Sequence, residues 1–133
     1  EQLGLADFVV IAAPLTPQTE GLFNEKAFKA MRKSARLINI GRGPVVKTDD
    51  LIAALNNGDI AGAALDVFEE EPLPADHPLW DMENVIMTAH MSGDFIGWKR
   101  ALTDQFLENL DRWHQGEELF NLVDKKLGYA SKK

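Results

Sequence analysis

Four short apolar runs, each closed by polar or glycine residues, constrain this chain more than any other feature. They are "DFVVIAAPL" (7–15), "ARLINI" (35–40), "AGAALDVF" (61–68) and "VIMTAH" (85–90). Continuous apolar runs of strand length, rich in β-branched residues, belong to strands buried on both faces, which are usually parallel ones. The first predicts a strand from Phe8 to Ala13. Between the first two runs, "NEKAFKAMRKS" opens on the N-cap candidate Asn24 and carries Ala27, Phe28 and Met31 at helical spacing. Between the second and third, Thr48 is the expected N-cap of a helix with Leu51, Ile52 and Leu55 on its apolar stripe and Gly58 just past its end. A proline-bearing loop, "EEEPLPADHPLWDMEN", leads to the fourth run. Alternation of strands with crossover-length helices predicts an α/β domain built on a parallel sheet.

From Ser92 to about Gln115 the pattern becomes one long helix. Trp98, Leu102, Phe106, Leu110 and Trp113 form its stripe, and Asp94 is expected in its first turn, where the helix dipole favours negative charge. A stripe this wide and aromatic predicts that the helix docks on something. With 133 residues there is room for one compact domain and not for two well-packed ones. The net charge of -7 disfavours nucleic acid or an anionic membrane as partner. The lack of cysteine excludes disulfides, thiolate metal sites and cysteine nucleophiles. No run has the length of a membrane span, and a soluble, cytoplasmic protein is expected.

In open parallel sheets, ligands bind beyond the carboxyl ends of the strands. Those ends carry "PLTPQT", then Gly41-Arg42-Gly43, then Asp66, then His90. Taken singly, each has an ordinary reading: Arg42 as a solvated loop charge, His90 as a structural histidine, Asp66 as a strand-end cap, Glu71 as one more member of "EEE". Together they form a constellation. An arginine between glycines presents a planar fork to a carboxylate. An imidazole suits proton transfer near neutrality, and a carboxylate partner orients the ring. A metal site from Asp76, His77 and His90 is the weakest alternative, because the spacing matches no ligand pattern.

Four stretches, "ADFVVIAAPLTPQTEGLFN", "LINIGRGPVV", "AALDVFEEEPLP" and "NVIMTAHMSG", resemble, in order and spacing, the D-isomer-specific 2-hydroxyacid dehydrogenases. These are the D-lactate, D-glycerate, glyoxylate/hydroxypyruvate and phosphoglycerate dehydrogenases. The resemblance spans about Ala6 to Gly93. It implies the second half of a Rossmann-type doubly wound parallel sheet (residues 1–93), followed by a long interdomain helix and C-terminal tail (94–133). It also implies hydride transfer between NAD or NADP and a small 2-oxo or 2-hydroxy acid. Arg42 would bind the substrate carboxylate. His90 would protonate the keto oxygen, with Glu71 as its partner. Asp66 would meet the nicotinamide carboxamide, and Pro14, Leu15, Thr19, Ile40, Gly41, Arg42, His90 and Gly93 would line the cofactor cleft.

The chain departs from the family pattern at several positions. Ala89 stands where proline usually precedes the histidine, Met91-Ser92 replaces a more usual Ile-Ala pair, and Lys47 occupies a place where an acid is common. Formate dehydrogenases of the superfamily have glutamine in the place of Glu71. No G-x-G-x-x-G occurs. In the family that motif lies upstream, after a substrate domain, so the chain is expected to be a fragment, inactive alone and associating through an unpaired strand edge and the long helix's stripe. A homo-oligomer is the expected partner state. "NLVDKKLGY" favours the glyoxylate/hydroxypyruvate or phosphoglycerate branch. Two other readings stand beside the enzyme: a dinucleotide-sensing corepressor of the same superfamily, and a doubly wound domain without catalysis. The last predicts that Arg42, Glu71 and His90 do not converge.

Overall fold

The alternation of apolar runs and helical stretches folds as a four-stranded, wholly parallel sheet in the order β1-β2-β3-β4. The strands are β1 (Phe8–Ile11), β2 (Arg36–Asn39), β3 (Gly62–Leu65) and β4 (Val85–Met87). The computed structural model describes residues 2–130; Glu1 and 131–133, at the outer ends of the expected segments, lie outside the described residues. Two compact units are present, residues 1–92 and 93–133.

In the first unit, α1 (Glu25–Ala30) links β1 to β2 and α2 (Thr48–Asn57) links β2 to β3. The strand order advances in one direction, so two right-handed crossovers place both helices on the same face of the sheet. That face is the core. Ile11, Leu37, Ala63 and Leu65 pack there against Phe28 and Met31 at α1, and against Leu51, Ala54 and Leu55 of α2. The register sets Val10, Ile38, Ala64 and Ile86 side by side across all four strands on the opposite face. Phe8, Val10 and Ile86 are exposed there. The runs are apolar on both sides, as a doubly wound sheet requires, while α1 and α2 cover only one of them.

Of the expected helix ends, Asn24 and Gly58 stand where the pattern places them and Thr48 does not, and the end of strand β1 is corrected as well. Asn24 caps α1 as expected, its Oδ1 accepting from the Lys26 amide at 3.1 Å. Thr48 does not cap α2: it is the first helical residue, Lys47 holds the cap position without a side-chain bond, and the Thr48 amide instead meets a carboxylate from another loop. β1 stops at Ile11 rather than Ala13. Its last ladder bond runs from the Ile40 amide to the Ile11 carbonyl, and the chain then turns toward Pro14, which has no amide to offer.

The second unit holds α3 (Trp98–Gln115) and a small antiparallel pair, β5 (Val123–Asp124) with β6 (Tyr129–Ala130). The long helix begins at Trp98 and not at Ser92, because Gly97 precedes it in the left-handed region (φ 92°). Asp94 therefore lies outside its first turn, which contains no acidic residue. Leu102, Phe106, Leu110 and Trp113 are exposed. Arg112 lies over the Phe120 ring and pairs with Glu117, while the Asn109 side chain exchanges hydrogen bonds with the Phe120 backbone, tying the segment after α3 back to the helix. Among the described residues no helix is long and apolar enough to cross a membrane.

Candidate active site

Parallel strands deliver their carboxyl ends to one edge of the sheet, and the candidate residues stand there. β2 ends in Asn39, a polar side chain only 1% exposed. Its Oδ1 accepts from the Gly41 amide at 3.1 Å and its Nδ2 donates to the Arg42 carbonyl at 3.2 Å, so one buried amide group spans the Gly41-Arg42 turn. The turn is also wedged between neighbours. A Cβ on Gly41 would stand 2.8 Å from the Ala13 carbonyl oxygen, which brings the end of β1 and Pro14 alongside it. Arg42 itself is exposed and donates from Nη1 to the Gly41 carbonyl at 2.7 Å.

The loop after β3 supplies Glu71, and the loop after β4 supplies His90. His90 Nδ1 lies 2.7 Å from Glu71 Oε2, while Glu71 Oε1 accepts from the Phe68 amide at 2.9 Å. Burial raises the Glu71 carboxyl's pKa, but the His90 hydrogen bond, the Phe68 amide, and the charges of His90 and Arg42 outweigh it and hold the group below its ordinary value. Glu71 is thus an acceptor, Nδ1 carries the hydrogen, and Nε2 is the nitrogen left for another partner. Of the causes acting on the Glu71 carboxyl, the charge of Arg42 is the smallest. The Glu71–Pro72 peptide is cis.

His90 adopts φ 52°, in the left-handed region. Its neighbours are held by Asp66, at the end of β3 and 3% exposed. Asp66 Oδ1 accepts from the Thr88 hydroxyl at 2.5 Å and from the Met91 amide at 2.9 Å, and Oδ2 accepts from the Ser92 amide at 2.8 Å. One carboxylate therefore grips the chain on both sides of His90. Burial pushes the Asp66 carboxyl up, but these donors more than offset it and bring it well below the usual carboxylate range. Asn39 and Thr88 carry no role in the sequence reading. The signals for them were a polar residue ending an apolar strand and a hydroxyl two places before the histidine.

This arrangement has a measurable consequence for acid stability. Because the folded-state carboxyl of Asp66 titrates lower than the unfolded one, near pH 3.9, its stabilisation is complete above that pH and fades as the pH falls through the folded value. Asp66→Asn leaves at least one buried donor unpaired, and the expected loss in urea unfolding at neutral pH is roughly 1–3 kcal/mol. The gap from wild type should narrow in acid. A gap that stays constant down to the lowest accessible pH contradicts this role.

A hollow of about 660 Å³ opens beside the Glu71–His90 pair, walled mainly by Phe68, Leu73, Trp80 and Met87. At the ends of β1 and β2, Leu15 and Ile40 are 39% and 42% exposed. Thr19 folds the first of these turns, donating from Oγ1 to the Pro14 carbonyl at 2.8 Å. Apolar surface is thus exposed beside the Gly41 turn. The glycine-rich turn that would hold a pyrophosphate has no counterpart among the described residues. Gly93 opens the second unit, with free space around its Cα. No group of three or more His, Cys, Asp or Glu able to hold a metal occurs among the described residues. His77 caps the short turn Pro78–Asp81, its Nδ1 accepting from the Leu79 amide.

A parallel α/β half-sheet with an Arg, a Glu–His pair and an apolar turn at its carboxyl edge defines a nucleotide-binding type of domain. The NAD-binding domain of the D-isomer specific 2-hydroxyacid dehydrogenases matches residues 1–92, and the chain belongs to that family. A glyoxylate reductase of Thermofilum pendens is 44% identical over 122 residues, covering 92% of this chain and 36% of that protein. A crystal structure of a D-isomer specific 2-hydroxyacid dehydrogenase from Xanthobacter autotrophicus Py2, in complex with NADPH and MES, is 46% identical with a TM-score of 0.86, covering 96% of this chain and 52% of that one. An NADPH-dependent glyoxylate/hydroxypyruvate reductase from Sinorhizobium meliloti, solved with NADP and sulfate, is 38% identical with a TM-score of 0.88, covering 96% and 41%. The chain spans about half or less of the length of each.

Proposed function

We propose that the whole protein reduces a small 2-oxo acid to the D-2-hydroxy acid, and runs the reverse reaction, with NAD(P) as redox partner. The observation that carries this reading is the Glu71–His90 pair at 2.7 Å within the field of Arg42. The cofactor, when bound, supplies or accepts the hydride. Arg42 holds the substrate carboxylate through its planar fork. His90 Nε2 donates the proton to the keto oxygen during reduction and takes it back in the reverse direction. Glu71 keeps Nδ1 protonated and the ring oriented. Asp66 holds the loop carrying His90 and stands at the nicotinamide edge, with Pro14, Leu15, Thr19, Ile40 and Gly41 on the cofactor side.

In that enzyme, residues 1–93 form the second half of the dinucleotide-binding domain, and 94–133 form the long helix and tail. The glyoxylate and hydroxypyruvate reductases among the relatives favour those two acids as first substrates. A homo-oligomer is part of the same reading, and sedimentation of the whole protein tests it. The deciding experiment is an assay of the whole protein, following loss of reduced-nicotinamide absorbance with glyoxylate or hydroxypyruvate and either NADH or NADPH. Saturable oxidation is expected. Tight dinucleotide binding with no turnover on any small 2-oxo acid would instead mark a sensing protein.

A further inference from the structure

The loop after β3 does more than present Glu71: it is pressed against the Arg42 turn and bonded to the helix that follows that turn. A Cβ on Gly43 would lie 1.7 Å from the Phe68 carbonyl oxygen, so the two backbones are in direct contact. One residue on, Glu69 reaches across. Its Oε2 accepts from the Thr48 amide at 2.6 Å, and its Oε1 lies 3.9 Å from Lys47 Nζ. α2 has no side-chain cap of its own. Its first amide is therefore satisfied by a carboxylate from the opposing loop, where the helix dipole also favours negative charge. The Phe68 amide meanwhile fixes Glu71.

We propose that Glu69 is a positioning residue: it clamps the segment carrying Arg42 to the segment carrying Glu71, setting the separation between the carboxylate-binding guanidinium and the Glu71–His90 pair. The inference rests on the function proposed above. The two arms of the clamp meet different parts of the reaction. The His90–Glu71 bond does not pass through Glu69, whereas the segment that carries Arg42 meets the 68–71 loop at two points, the Gly43–Phe68 backbone contact and the Glu69–Thr48 bond. Loosening it loosens substrate carboxylate binding more than proton transfer.

The test uses the whole protein and two independent cuts of the same bond. Glu69→Ala removes the acceptor. Thr48→Pro removes the donor at the first helical position, which proline tolerates, after a Lys47 already extended at φ −76°, ψ 108°. Each is expected to raise KM for the 2-oxo acid about tenfold, the equivalent of about 1.4 kcal/mol, with kcat and its pH profile little changed. The double variant should add nothing to either single one. Glu70→Ala, at the exposed neighbouring position, should leave KM unchanged. A fall in thermal midpoint with KM unmoved would reduce Glu69 to a plain helix cap and overturn the proposal. So would additive effects. Amide hydrogen exchange over residues 41–48 gives a readout without turnover. If the protein reduces no 2-oxo acid, the functional reading fails, while faster exchange there in Glu69→Ala still supports the clamp and unchanged exchange overturns it.

Discussion

Replacing His90 with asparagine in the whole protein is expected to lower kcat for 2-oxo acid reduction by about 10²–10⁴-fold, the usual contribution of a positioned general acid. Asparagine is the informative replacement because the position sits at φ 52°. Most side chains are strained there, and asparagine, like histidine, is enriched in that region. The backbone and its bonds to Asp66 then stay in place while the imidazole is lost. Urea unfolding should move little. KM should change by far less than kcat, since the substrate carboxylate is assigned to Arg42. A drop in kcat smaller than tenfold would remove His90 from the proton-transfer role, and the Glu71–His90 contact would then be a surface pair between groups 36% and 48% exposed, of small energetic weight.

Much of this site is legible in the sequence because strand ends are. Once "LINI", "GAAL" and "VIM" are read as parallel strands, Gly41-Arg42, Asp66 and His90 must emerge on one edge of the sheet, whatever the detailed packing. The faces of the two central strands follow too, since a one-residue shift of β2 or β3 would turn Leu37 or Leu65 out of the core. The supporting contacts are not legible in this way. Glu69 and Thr48 are 21 residues apart, and while the family resemblance singles out Glu71 in "EEE" as the partner of His90, no local pattern marks Glu69 as the acid that caps α2. Local pattern places Thr48 at the cap, because hydroxyl residues usually stand there, and tertiary contact takes that place instead. The start of α3 fails for a related reason. Apolar spacing continues back through Phe95 and Ile96, but periodicity carries no information about the sign of φ at Gly97.

Gly43→Ala is expected to be the most damaging single-methyl change in the first unit. A Cβ at this position would meet the Phe68 carbonyl oxygen at 1.7 Å, its carbon at 1.9 Å and the Glu69 nitrogen at 2.6 Å, all backbone atoms with no rotamer to adopt. Relief requires the Arg42 turn and the 68–71 loop to part by more than an ångström. The cost should equal or exceed the upper end of ordinary overpacking, about 3 kcal/mol. Gly58→Ala is the matched control. It also replaces a glycine, but at φ 68° with nothing within 4 Å of the new atom, so only the left-handed conformation is penalised, by about 1–2 kcal/mol. The two variants also differ in what they do to chemistry. Gly58 ends α2 away from the strand-end edge, and its replacement should lower stability while leaving KM and kcat near wild type. Gly43→Ala displaces Arg42 from Glu71, breaks the Glu69–Thr48 bond, and should depress kcat/KM even at temperatures where the variant remains folded. Equal stability losses for the two, measured by urea unfolding, would mean that the 43–68 contact yields easily, and that the spacing of Arg42 from the proton-transfer pair is set elsewhere.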